Sequence, residues 1–460
     1  MVDRVRFLLD EDDIPTTWYN LAADLPPLHP PLNPATGRPV TRDEMAATMP
    51  EPVIEQELST EREWEIPEPV RQIYAQWRPS PLHRARRLEA ELGTPARIYY
   101  KYEGVAPTGS HKPNTAVAQV YYNKLAGKRG LVTETGAGQW GSATAQSAAM
   151  FGMSAKVYMV KVSFTQKPYR RSLMETFGTV CVPSPSVETA AGRAVLAEDP
   201  ECPGSLGIAT SEALEAASTD DSLGYVLGSA ANHVLGHQTI IGLEAIRQFE
   251  LADDYPDIVI GCAGGGSNLA GLSFPFLGQK LRGGQDVRLI AAEPAACPTL
   301  TRGTVAYDYA DKAGLTPLFR MHTLGHGFVP PTFHAGGLRA HGMGQLVSRA
   351  VEDGHMEATA VTQRRCFDGA VLFARTEGIL PAPESTHAIR VAIDEAMRCR
   401  EEGRQQTILF GLSGHGHFDL TAYERYFAGE LDDTVLDDET IAAAKATIPE
   451  QVWDVEEPAA

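Results

Sequence analysis

From ARIYYKYEG (96–104) onward the chain alternates short β-branched and aliphatic runs with longer amphipathic stretches. RGLVTE, AKVYMVKV, GTVCVP, DIVIGC, VRLIAAEP and TILFGLSG read as strands, because such residues suit a pleated, buried surface. SATAQSAAMFG, PYRRSLMETF, TIIGLEAIRQFE and HAIRVAIDEAMRCREEG read as helices between them. Regular strand–helix alternation predicts an α/β fold, with largely parallel sheets covered by helices on both faces. Residues 1–77 break the pattern. Their prolines (PPLHPPLNPATGRP) and acids predict an extended arm with a few short helices wrapped over the body, and composition alone fits a disordered tail equally well. The acidic residues 431–460 predict a peripheral helix followed by a solubilising tail.

A chain of 460 residues is long for a single core, so two lobes with a ligand cleft between them are expected. Its formal charge of −19 repels polyphosphate, which argues against nucleic acid and anionic membranes as partners. Six scattered cysteines form no CxxC pair and fit reduced thiols in a cytoplasm. MVDRVRFLLDEDDIP has too short an apolar run for an export signal, so a cytoplasmic location is expected.

Candidate chemistry begins at DIVIGCAGGGSNLAG, where Gly264, Gly265, Gly266, Ser267 and Asn268 follow a strand and open a helix. That arrangement aims backbone N–H groups and a helix N-terminus at one point, which suits an anion. A dinucleotide fingerprint fails because Leu269 occupies its third glycine position, and a P-loop fails because Ser267 stands where lysine is required. A cradle for a single phosphate or a plain tight turn remains. GVAPTGSHKPNTAV then offers Lys112 among small and polar neighbours (Ser110, His111, Asn114), although a lone lysine is more often solvated than reactive. A phosphate site with an amine nearby is the pairing a pyridoxal-phosphate (PLP) enzyme needs.

The motifs KYEGVAPTGSHKPNTA, TETGAGQWGSATA, CAGGGSNLAG, EGILPAPESTHAI and LFGLSGHGHFD occur in the order of the fold-type II PLP enzymes. The chain resembles in particular the tryptophan synthase β chains, over nearly its whole length. DDIPTTWYNLAADLP and TLGHGFVPPTFHAGGLRAHG resemble the second, longer class of these, often found without an α subunit. The resemblance implies an arm (1–77), an N-terminal lobe (111–230), a discontinuous cofactor lobe (78–110 and 231–430) and an acidic tail (431–460).

It also implies roles. Lys112 would carry PLP as a Schiff base and take the serine Cα proton, which requires its pKa to fall below the ordinary 10.4 or so. His111, Asn114 and residues 264–268 would hold the cofactor, Glu377 would orient its ring, and Ser413 would face the pyridine nitrogen. Thr135, Gly136, Ala137, Gly138, Gln139 and Trp140 would bind the substrate carboxylate, with Trp140 standing where the commoner β chains have histidine. Glu134 would help the serine hydroxyl leave as water and then take the indole N–H proton. Indole and L-serine (or O-phosphoserine) are the implied substrates, a homodimer the implied assembly, and a monovalent cation is admitted. The long arm suggests altered docking of an α subunit. His322, His326, His334 and His341 could suggest zinc, but the glycines and prolines among them oppose one helical ligand face, and a loop closing the indole pocket is the better reading. Rivals are another β-replacing or β-eliminating PLP enzyme, a dinucleotide enzyme with Glu293 reading the ribose, and a catalytically silent binding protein.

Overall fold

The computed structural model describes residues 4–450; the last ten residues of the predicted acidic tail lie outside them. Two sheets organise the chain. The larger has seven strands in the order Arg6–Phe7, Leu82–Arg84, Arg97–Tyr102, Thr407–Leu412, Ile258–Cys262, Arg288–Pro294, Glu357–Val361. Its first two pairings are antiparallel and the other four parallel. The smaller is wholly parallel, in the order Val180–Ser184, Ser154–Val160, Gly130–Thr135, Leu223–Tyr225.

Alternation along the central strands explains why they read as continuous apolar runs. Val259, Leu289 and Leu409 point into one core, packed on the helices Ile240–Ala252 and Ser267–Leu281. Ile258, Ile260, Ile290, Ile408 and Phe410 point into the other, under the helix Ser385–Glu402. Side chains alternate faces along a strand, and both faces of this sheet are covered, so no position can be polar without a partner.

The arm is part of the first core. Trp18, Leu21, Trp64 and Tyr74 are buried in it, the strand Thr17–Tyr19 pairs with Glu63–Glu65, and Arg6–Phe7 extends the large sheet. Beside it lies a fully buried ion network. Arg78 bonds Glu103 (2.9 Å) and Glu244 (2.8 Å), and Lys101 bonds Glu244 (2.7 Å). Burial alone would raise the Glu103 carboxyl, but Arg78 and Lys101 outweigh it and hold it at about 2. Two cations and two anions thus neutralise one another inside the core, as buried charges must. At the other end of the chain, the helix Asp438–Lys445 docks Ile441 and Ala444 against the second core.

Candidate active site

The site is built at the carboxyl ends of strands from both sheets, Ile258–Cys262 and Thr407–Leu412 of the larger and Gly130–Thr135 of the smaller, where α/β folds bind ligands. Ile258–Cys262 runs into Gly264–Gly266 and then the helix Ser267–Leu281. Gly266 has φ +104°, which favours glycine. A Cβ on Gly264 would lie 2.6 Å from the Gly337 carbonyl oxygen, and one on Gly265 would lie 2.7 Å from Ser229 Oγ. The turn is therefore glycine-rich because neighbouring segments, backbone at Gly264 and a side chain at Gly265, crowd it.

Lys112 sits at the start of the helix Pro113–Leu125 and donates from Nζ to Ser267 Oγ (2.9 Å) and to the Gly228 carbonyl. Burial pushes this amine down to about 8. His111 Nε2 shares a hydrogen bond with the same Ser267 hydroxyl at 3.0 Å, and its backbone N–H donates to the Ser413 carbonyl at 3.0 Å. Burial, reinforced by Lys112, lowers the imidazole to about 3, so it is neutral. Ser413 Oγ meets Ser385 Oγ at 2.7 Å, a pairing of hydroxyls with no carboxylate among the described residues bonded to either.

Glu134 lies near the end of the strand Gly130–Thr135 and is buried. Burial raises it to about 7 against the hydroxyl of Tyr225, which donates to Oε2 at 2.9 Å. The helix Gln139–Phe151 follows, entered through Gly138 at φ +91°. Its first amides have no acceptor inside the helix. That of Gly141 is taken by Thr135 Oγ1 (3.1 Å), which leaves those of Gln139 and Trp140 for an anion. Residues 336–337 bridge the two turns: Gly336 O would lie 2.9 Å from a Cβ on Gly136, and Gly337 N donates to Glu384 Oε1 at 2.9 Å.

A cavity of about 450 Å³ reaches from Glu134 to the glycine turn at Gly265. Glu134, Tyr225, Ser229 and Gly265 line it together with His341 and the arm residues Val40, Met45 and Met49.

Some expected site residues lie elsewhere. Glu377 ends the helix Gln363–Glu377, and its Oε1 accepts the Leu88 amide (2.8 Å), capping another helix. Glu384, seven residues on in the same motif, takes the inward place, accepting from Gln139 Nε2 at 2.9 Å. Asn114 turns its amide away from the glycine turn: it accepts from Arg78 (2.8 Å) and donates to Glu103 (3.1 Å) and Gln238 (3.0 Å). Trp140 offers only its backbone, since its ring packs behind Gly228 and its indole N–H donates to Thr133 Oγ1 (2.7 Å). Glu293 is committed to the Leu300 and Thr301 amides, each at 2.8 Å, so no ribose contact is left to it. His326 is held by Asp308 (2.7 Å) and His341 by the Tyr309 carbonyl (2.8 Å). Tyr225, Gly228, Glu384 and Ser385 also belong to the site, though the sequence pattern does not single them out. Only for the last two was there a signal, the PAPES motif.

The donor set fits PLP. Asn268 Nδ2 is buried at the glycine turn with no hydrogen-bond partner among the described residues, an orphaned donor that a phosphate oxygen would satisfy. The Lys112 amine, lowered by burial to about 8, stands at the neighbouring Ser267.

A model of the "Pyridoxal-phosphate dependent enzyme" family matches residues 73–414. A tryptophan synthase beta chain 2 from Aquifex aeolicus is 58% identical over 433 residues, covering 93% of this chain and 100% of the relative. Its namesake from Thermotoga maritima is 57% identical, covering 91% and 100%, and that from Methanosarcina acetivorans 53% identical, covering 94% and 98%. Among solved structures, maize serine racemase superposes with a TM-score of 0.56 at 16% identity, covering 79% of this chain and 97% of its own. A fungal L-serine ammonia-lyase from Rhizomucor miehei gives 0.55 at 17%, covering 76% and 98%. These likenesses fix the fold as that of the fold-type II PLP enzymes. With the family model spanning both glycine turns and 53–58% identity extending over nearly the full length, the chain belongs to the tryptophan synthase β chains.

Proposed function

We propose that this chain catalyses the tryptophan synthase β reaction, replacing the hydroxyl of L-serine by indole to give L-tryptophan and water. The observation that carries the reading is Lys112 Nζ, 2.9 Å from Ser267 Oγ at the glycine turn, beside a cavity that also holds the protonatable Glu134. Pyridoxal phosphate, when bound, supplies the electron sink that makes the serine Cα–H acidic. Residues 264–268 and His111 would hold its phosphate, and Ser413 would face its ring nitrogen.

The chain's own groups account for the protons. Lys112, whose amine is already lowered to about 8, takes the Cα proton at Nζ and returns it to Cα once the new carbon–carbon bond has formed. The amides that open the helix Gln139–Phe151 hold the substrate carboxylate. Glu134, poised at about 7, gives its proton to the departing hydroxyl and then, as carboxylate, accepts the indole N–H proton while C3 bonds to Cβ. The apolar walls of the cavity accept the indole ring and exclude water from the reacting carbon. The reading includes a cytoplasmic enzyme acting as a homodimer.

Purified protein supplied with pyridoxal phosphate, indole and either L-serine or O-phosphoserine should form tryptophan. Release of pyruvate or racemised serine with no tryptophan from either donor would assign the chain to another β-eliminating or racemising activity.

A further inference from the structure

The helix Asn232–Gln238 begins badly by itself. Its N-cap is Ala231, whose side chain has no oxygen to accept the orphan amides of the first turn. The missing acceptor comes from the arm. Glu57, on the helix Glu51–Leu58, accepts the Asn232 amide at Oε1 (3.1 Å) and the His233 amide at Oε2 (3.0 Å). His233 Nδ1 lies 2.7 Å from the same Oε2, and all three side chains are buried.

What precedes that helix is strained and faces the site. The Ala231 amide donates to the Ser229 carbonyl at 3.0 Å, which closes a tight turn over Ala230 at φ +72°, a left-handed conformation rare for a residue with a Cβ. Gly228, two residues before Ala230, accepts the Lys112 amine, and Ser229 Oγ faces the place where Gly265 has no Cβ. A strained turn persists only if its surroundings hold it. On its C-terminal side the holding group is an arm carboxylate 175 positions away in sequence.

We propose that Glu57 is a positioning residue: by capping the helix after Ala231 it fixes residues 228–231, and through them both the acceptor for Lys112 and one wall of the phosphate cradle. The arm is then a working part of the site. This rests on Lys112 being the cofactor lysine, as proposed above.

Titration of the cofactor-stripped full chain with pyridoxal 5′-phosphate, read by its visible absorption, tests the idea apart from turnover. Glu57→Ala should weaken binding by about tenfold, roughly the value of one helix cap. Adding Ala231→Ser supplies a local cap in the same extended backbone conformation, and Glu57→Ala/Ala231→Ser should recover most of the affinity. Glu57→Gln, which keeps one acceptor oxygen and the shape, should fall between and serves if the alanine variant does not fold. Lowered thermal stability with unchanged affinity in Glu57→Ala or Glu57→Gln overturns the proposal, as does a loss that the local cap leaves unrepaired. Lys112→Ala separates the two claims: if borohydride still fixes a phosphopyridoxyl group covalently to that variant, read by intact mass, the lysine assignment fails, whatever Glu57 does.

Discussion

Two opposing effects meet on the Glu134 carboxyl. Burial raises its pKa, hydrogen bonds from its own backbone and from Tyr225 lower it, and the balance rests at about 7. A group so placed can serve as acid and then as base near neutral pH. Glu134→Gln should keep the cofactor bound and lose carbon–carbon bond formation by roughly 10²–10⁴, measured as tryptophan formed per bound PLP. Tyr225→Phe removes a hydrogen bond that favours the carboxylate, so the pKa should rise further. Because the second half of the reaction needs the ionised form, the acid limb of the kcat profile should move to higher pH, and an unmoved or lowered limb would contradict the assignment. The motif EGILPAPES offers two glutamates, and composition cannot choose between them. Burial and direction do: Glu377 ends its helix on a cap, and Glu384 points inward to Gln139.

At the scale of elements, the glycine turn is shaped by what crowds it. Gly265→Ala would set a Cβ 2.7 Å from Ser229 Oγ and 2.9 Å from Ser229 Cβ, so either the turn or the 228–231 segment must shift. Overpacking of this kind costs about 1–3 kcal/mol. Here the cost should appear as PLP affinity weakened by roughly ten- to a hundredfold, with the circular dichroism of the folded chain retained. The strand–turn–helix placement of residues 258–281 was legible because strand period, glycine run and helix start are local. That Ser229 and Gly337 press on this turn was not legible, since neither lies near it in sequence.

For the whole molecule, the buried network of Arg78, Lys101, Glu103 and Glu244 ties the strand Arg97–Tyr102 to the helix Ile240–Ala252, and through Asn114 to the helix that Lys112 begins. Glu103→Gln leaves buried positive charge uncompensated and should destabilise by about 3–5 kcal/mol at neutral pH, read from urea unfolding. The pH dependence has a definite sign. Glu103 titrates at about 2 when folded, against 4.5 as its ordinary value, so its stabilisation is present above 4.5 and is lost as pH falls toward 2. The gap between wild type and Glu103→Gln should therefore narrow over that interval. A gap that widens on acidification would remove the network from the account of stability.

The sequence alone determined what depends on neighbours along the chain: the strands and helices of an α/β fold, the two glycine turns, and Lys112, His111, Glu134 and Ser413 as groups at strand ends or helix starts. Tertiary structure decided what depends on approach between distant segments. It sent Asn114 into an ion network, chose Glu384 over Glu377, set Trp140 behind Gly228, and brought Tyr225 to Glu134 and the arm's Glu57 to residue 232. Such pairings leave no periodicity to read. They are fixed only when packing forces each buried polar group to find its partner.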